Sequence, residues 1–434
     1  MNEEESSSLD LQGSNPNIIC RRYMRPVKAS CLANEWNRYE NRSGKLRVRH
    51  LKNVTLLPMG QVPGIEDNPD RIIDDCDFYA EIADNDARAV HVEGKVLYAG
   101  YMRKSWGHFL MNSTARLWPL FQNGLNDIDK IVFFAEDDRQ TQPKGNFREF
   151  LSLLGVLDKC VVLKPGKYHF DDISIGQIAL EMGKYYSSEF MMPFDAVRIS
   201  ALSSQSDPPD VQRTKGIILS RSQWNGNDKI QINIEKIDRV FTLNGYKTIS
   251  PESISLRELI VSMHNADEVV SYSGSTAHDI LFSSEKRFVI LERCAANNMY
   301  QIGIMKMMKN ENILVDCFYQ PLLASSTDNL TIYGMTPEFV NFIKSRGWPV
   351  PSELNSPLKE IRRYIKIYRR HYGYGLGINN WEDSQAPAIR EAYYESYTRY
   401  KRYLNRNFPV LWYDYFSPTV IYKTLRAFKA RIMD

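Results

Sequence analysis

Short apolar runs alternate with amphipathic stretches along most of the chain, and the alternation predicts strands and helices in turn. Residues 46–58 (LRVRHLKNVTLLP), 77–82 (DFYAEI) and 89–101 (AVHVEGKVLYAGY) read as strands punctuated by Gly, Pro and Asn or Asp. A helical pattern follows over 107–123 (GHFLMNSTARLWPLFQN). KIVFFAED (130–137) is a dense apolar run of the kind buried in a parallel sheet, NFREFLSLLGVL (146–157) is an amphipathic helix ending at Gly155, and KCVVLK (159–164) is another buried strand. Beyond a polar, proline-bearing linker (203–214) the alternation resumes. KGIILSRS is a strand and INIEKIDRVFTLNGY a helix closed by Asn244-Gly245. SLRELIVSMHNA is a helix, DEVVSYSG a strand, TAHDILFSS a helix and RFVILER a strand. This order implies an α/β fold of two doubly wound, Rossmann-like domains facing across a cleft. The expected divisions are a disordered leader (1–20), an N-terminal α/β domain (21–205), a C-terminal α/β domain (212–325) and a helical extension (326–434).

Composition sharpens that picture. At 43% hydrophobic and 25% charged the chain is of globular type, and no apolar run approaches the length of a membrane span. The first residues, MNEEESSSLDLQG, are acidic and polar where a signal peptide is basic and then apolar, so a cytoplasmic protein is expected. Six scattered cysteines without a CxxC pair read as free thiols in a reducing compartment. The net charge of +3 hides an asymmetry: residues 359–434 hold fifteen Lys and Arg against seven Asp and Glu, with twelve of the 25 tyrosines. Such helices either snorkel over the body of the protein or lie as a peripheral contact on an anionic membrane face. No recognition motif accompanies the charge, so nucleic acid is not an expected partner.

The candidate chemistry centres on SYSGSTAHDILFSS (271–284). The glycines of a nucleophile elbow are missing around Ser273 and Ser275, and His278 and Asp279, adjacent on a helix, diverge too far to form a relay. A phosphate cradle fits better. Gly274, Ser275 and Thr276 fall where a strand ends and a helix begins, where first-turn amides are unpaired and small residues admit an anion; the alternative is that Ser275 or Thr276 simply caps that helix. Ser220 and Arg221 close the first strand of the same half, and a guanidinium suits a diphosphate. Glu252 follows a proline turn where a carboxylate can accept ribose hydroxyls, with Ser253 or Ser255 capping the next helix.

Taken in order, Ser220-Arg221, Asn233 with Glu235, Gly245-Tyr246, Pro251-Glu252 and Gly274-Ser275, together with GHFLMNSTARLWPL at 107–120, resemble family 61 glycosyltransferases, in particular the bacterial capsular-polysaccharide type. The resemblance spans roughly residues 95–300. It implies a GT-B fold, a nucleotide-sugar donor (UDP-linked) in the C-terminal half, a saccharide or lipid-linked saccharide acceptor in the N-terminal half, inversion at the anomeric carbon, and work at the inner membrane face. Arg221 and residues 274–276 would hold the diphosphate and Glu252 the ribose. Two positions depart from the family pattern: Asn112 stands where an acidic residue is common, and Asp279 where an asparagine is.

Inversion needs a base for the acceptor hydroxyl. Asn112 cannot serve, and histidine titrates near working pH, so His108 is the first candidate, with Glu181 behind it. A helix over 107–123 would set His108, Asn112 and Arg116 on one face, Arg116 as structural clamp or acceptor contact. His278 either donates to the leaving phosphate or packs beneath the turn. The acidic runs at 136–138 (EDD) and 74–77 (DDCD) lack Asp-x-Asp spacing, so no metal and no cofactor beyond the donor is expected. Two rival readings are another transferase of polysaccharides, such as a pyruvyl transferase, and a non-catalytic nucleotide-binding scaffold.

Overall fold

Two six-stranded sheets organise the computed structural model, which describes residues 19–58, 78–81, 89–122, 127–136, 142–164, 166–203, 213–223, 231–294, 297–308, 310–319 and 331–351. The expected leader up to residue 18, the DDCD run, the last two residues of EDD, most of the 203–214 linker and the basic extension after residue 351 lie outside the described residues. The chain opens with β1 (Ile19–Tyr23) and α1 (Pro26–Arg38), then β2 (Val48–Pro58), β3 (Phe78–Glu81), β4 (Val90–Met102) and β5 (Lys130–Ala135). Helix α2 (Asn146–Leu153), β6 (Cys160–Leu163), β7 (Tyr168–Gly176) and α3 (Met192–Ser203) complete the first half. The second holds β8 (Ile217–Leu219), α4 (Ile234–Thr242), β9 (Lys247–Ile249), α5 (Leu256–Asn265), β10 (Glu268–Tyr272), β11 (Arg287–Glu292), α6 (Met299–Met307), β12 (Glu311–Asp316) and α7 (Pro337–Ser345).

The first sheet, β3-β2-β7-β4-β5-β6, is mixed: β2 is antiparallel to both neighbours and the rest is parallel. The second, β1-β12-β11-β10-β8-β9, is parallel throughout. Its strands bury both faces, which is why they are nearly continuous in apolar residues. Ile217, Leu219, Val269, Phe288 and Ile290 point to the core that holds α5, and Ile218, Val270, Val289 and Leu291 to the one that holds α4 and α7. The protein is therefore a mixed α/β structure with parallel sheets.

The edge strand β1 comes from the far N-terminus yet pairs with β12 in the second sheet. Helix α1 follows it there because Lys28 is buried between Glu292 (2.9 Å) and Asp316 (3.1 Å), with the Cys294 carbonyl as a third acceptor. Burial pulls the ammonium's pKa down, but the two carboxylates outweigh this and hold it above its ordinary value.

One apolar core crosses from half to half, with Phe109, Phe150 and Phe194 from the first and Leu256, Phe282 and Ile290 from the second. Phe194 and Phe282 meet edge to face at 5.5 Å. Glu149 of α2 adds a polar bond: its carboxylate accepts the free amides of Leu256 (2.8 Å) and Arg257 (3.0 Å) at the start of α5. Among the described residues no helix is long and apolar enough to cross a membrane.

The predicted helix over residues 107–123 departs from the structure, and β1, α1, β7 and α3 stand where no element is predicted. A helical turn at Trp106–His108 passes into a π-helical turn, Phe109–Ser113, and a 3₁₀ turn, Trp118–Phe121. Side chains and tertiary bonds break the helix: Thr114 Oγ1 donates to the Leu110 carbonyl, the Ala115 carbonyl accepts from Ala179, and Pro119 follows. The helix expected at 276–284 is a 3₁₀ helix, Ser275–Phe282.

Candidate functional site

The carboxyl ends of the second sheet's strands form a row of polar groups. Without β1, the order β12-β11-β10-β8-β9 reverses direction between β8 and β10, and in open parallel sheets this reversal opens a crevice where ligands bind. Arg221 follows β8, Gly274 follows β10, Arg293 follows β11 and Glu252 follows β9. Gly274 has φ 122°, a conformation that favours glycine, and the Arg293 guanidinium carbon lies 3.4 Å from where a Cβ would stand. Arg221 is within electrostatic reach of Arg293, Glu252 and Asp279; burial and the neighbouring Arg293 together lower its pKa. Arg293 was not singled out in the sequence; its place one residue past RFVILE at a strand end was the available signal.

The first half meets this row through the turn after β4. Gly107 packs on Ser275 so closely that a Cβ there would stand 2.7 Å from Ser275 Oγ and 3.2 Å from its Cα. Trp106 donates its indole N–H to Asp279 Oδ1 at 2.8 Å and stacks on Phe109 and Phe147. The turn is held from behind by Glu136, which accepts from Arg103 (2.9 Å) and from the Lys104 amide (2.8 Å). The first residue of EDD thus anchors a loop.

His108 is exposed on this turn. Its Nδ1 is 3.1 Å from Asn112 Oδ1, and Asn112 Nδ2 donates to the Tyr300 hydroxyl at 2.8 Å. With the amide turned this way, Oδ1 accepts an Nδ1–H and the Nε2 lone pair is left available. Tyr300, from α6, stands edge-on to both His108 (6.5 Å) and His278 (6.4 Å). The one-face arrangement of His108 and Asn112 exists despite the broken helix. Arg116 is buried and donates to the Gly176 carbonyl, which clamps the segment after the π-helical turn to the end of β7.

Two buried titratable groups lie at the junction. His278 is pushed down to about 4, first by burial and then by His108, with Asn298 at its Nε2 (3.2 Å) pulling the other way; its Nδ1 is buried without a hydrogen-bond partner. Asp279 is raised to about 7 by burial, with the Trp106 bond and Arg221 pulling the other way. Its Oδ2 is buried without a hydrogen-bond partner.

The remaining predicted residues divide. Ser220 is fully buried and donates to Asp238, whose other oxygen accepts from Tyr272 at 2.7 Å; it also accepts from the Ser222 amide, which fixes the turn that presents Arg221. Thr276 Oγ1 returns to the Tyr272 carbonyl. Ser255 caps α5 in a reciprocal pair with Glu258, and Glu149 takes the next two amides, so that helix start is filled by protein. Glu252 is exposed at the rim. Glu181 is ion-paired with Lys184.

No curated protein matches the chain. The family model described as Glycosyltransferase 61 matches residues 106–290, a little under half of the chain. That span starts at Trp106 and ends within β11, so it takes in both the 106–112 turn and the Gly274–Asp279 segment that the fold presses together. The match to this family model over residues 106–290 indicates a glycosyltransferase.

Proposed function

We propose that the protein is an inverting glycosyltransferase of GT-B type that moves a sugar from a nucleotide-diphosphate donor, UDP-linked, to a saccharide acceptor of surface-polysaccharide assembly. The observation that carries this reading is the pair of guanidinium groups, Arg221 and Arg293, beside the Gly274 turn at the reversal of the second sheet. Two clustered cations, half-buried at strand ends, suit a diphosphate, whose charge grows as the sugar departs. Glu252, at the rim and within reach of Arg221, suits the ribose hydroxyls.

His108 is the base in this scheme. Its Nε2 takes the acceptor hydroxyl proton while the acceptor oxygen bonds the anomeric carbon from the face opposite the diphosphate. The anomeric C–O bond breaks with its electron pair leaving on the diphosphate, and the guanidinium groups offset that charge. Asn112 and Tyr300 are positioning residues that fix the imidazole. His278, buried with Asn298 at its Nε2, is assigned to support rather than to proton donation, as are Ser220, Ser255 and Thr276. The scheme routes no step through a metal.

A thermal-shift and product-release assay with a panel of nucleotide sugars tests the reading. UDP and one UDP-sugar should raise the melting temperature of the full chain, and Arg221→Ala and Arg293→Ala should each abolish that shift. His108→Ala should keep it and lose about 10²–10⁴-fold in transfer. Absence of any nucleotide-dependent shift, or donor binding unchanged in both arginine variants, would overturn the assignment. Donor binding with no transfer to any acceptor by the intact protein would favour the scaffold reading, for which the amide at Asn112 is the motivating feature.

A further inference from the structure

We propose that the far end of the first sheet carries a divalent transition-metal site of the zinc class, built by His91, His169 and Asp171. His91 and His169 are paired across the parallel strands β4 and β7. Asp171 lies two residues beyond His169 on β7 and therefore on the same face. One donor atom from each residue lies within 4.8 Å of the other two. His91 Nε2 and Asp171 Oδ1 are already 2.7 Å apart, and the two imidazole rings are 5.5 Å apart, centre to centre.

The donor set fits the chemistry. Two imidazoles and a carboxylate favour zinc and its neighbours over calcium or magnesium, and donors about 2.0–2.2 Å from the ion stand roughly 3.3 Å apart in a tetrahedron. Small side-chain shifts bring the three to that spacing. His169 also has partners on both ring nitrogens, Thr55 Oγ1 at Nδ1 and Asn53 Oδ1 at Nε2, each 3.0 Å away. Whichever nitrogen binds, the other keeps an orienting hydrogen bond, as ligating histidines require. Asn53 reaches the ring from a left-handed position in β2 (φ 50°). Three protein ligands leave the fourth position to water, and His91 and Asp171 are about half exposed, so the ion can enter from solvent.

This site is separate from the candidate active site. His91 lies near the start of β4 and the Trp106–His108 turn follows its end, a separation of roughly 35 Å along the strand. The bound ion would tie β4 and β7 together at the end remote from the chemistry.

Zinc titration of the chelator-treated full chain by calorimetry, near neutral pH, tests the site. One saturable site is expected, weakened at least tenfold by His91→Ala and by Asp171→Asn and unchanged by His50→Ala, a histidine elsewhere on the same sheet. Cobalt in place of zinc should give a spectrum free of thiolate charge-transfer bands. Circular dichroism of each variant separates loss of the site from loss of the fold, and His91→Gln provides a second, milder variant. No saturable binding, equal affinity in a folded His91→Ala/His169→Ala protein, or thiolate bands in the cobalt spectrum would each overturn the proposal.

Discussion

The two sheets reach the same site by different means. The second is parallel throughout and buried on both faces, and its order alone places Arg221 and Gly274 at the reversal point where a crevice opens. The first has an antiparallel edge and delivers its residues through a turn that is part helical and part π-helical. Regular topology supplies the two guanidinium groups, Arg221 and Arg293; an irregular backbone, held by Ser113, Arg116 and Glu136, supplies the exposed imidazole. The regular side rests on buried ionic and apolar packing, whereas the irregular turn rests on a few close contacts.

Three substitutions probe that contrast. Lys28→Ala strikes the regular side. Two buried carboxylates, Glu292 and Asp316, would lose their shared cation, and removing one partner of a buried ionic group costs about 3–5 kcal/mol. Urea denaturation should show this; a loss below 1 kcal/mol would mean that α1 is not needed to close the second sheet.

Asp279→Asn acts at the junction. The native carboxyl, raised to about 7 from an ordinary 3.8, binds more protons than its unfolded counterpart between those values. Wild-type stability therefore falls as pH rises through that window. The asparagine variant escapes this cost, so its advantage is absent below pH 4 and grows to at most about 4 kcal/mol above pH 7. His278 acts in the opposite sense, costing stability as pH falls from 6.5 towards 4. Melting curves at pH 4 and pH 8 decide; an advantage that does not grow with pH would show that the Asp279 carboxyl is not held protonated.

Gly107→Ala is the smallest of the three. A Cβ 2.7 Å from Ser275 Oγ and 3.2 Å from its Cα forces the turn away from the 3₁₀ helix, an overpacking cost of about 1–3 kcal/mol. Pairing it with Ser275→Gly removes the oxygen but not the backbone, so about half of the loss should return. Full recovery in the double variant would place the whole conflict on the serine side chain.

Much of the second half was legible in the sequence because its strands are short, apolar on both faces and separated by amphipathic helices with clear stops. Ser255 with Glu258 and the turn at Asn244-Gly245 behave as their residue types predict. The 107–123 segment was not legible as drawn. Its apolar spacing matches a helix, but the decisive bonds of Thr114, Ala115 and Arg116 go to the π turn and to residues around 176–179, which no local pattern announces. The capture of β1 by the second sheet is of the same kind: Lys28 finds its partners more than 260 positions away. Arg293 went unnoticed because a basic residue after a strand is ordinary until a glycine is seen beneath it.

The aromatic layer between the halves has a mechanical corollary. Phe282 sits against Trp106, Phe150 and Phe194, and parting the halves would wet all four rings at once. A hinge that swings wide on every cycle is too expensive for such a seam. Under the function proposed above, donor and acceptor would enter and depart by the rim, past Glu252 and His108, while the body behind them stays shut.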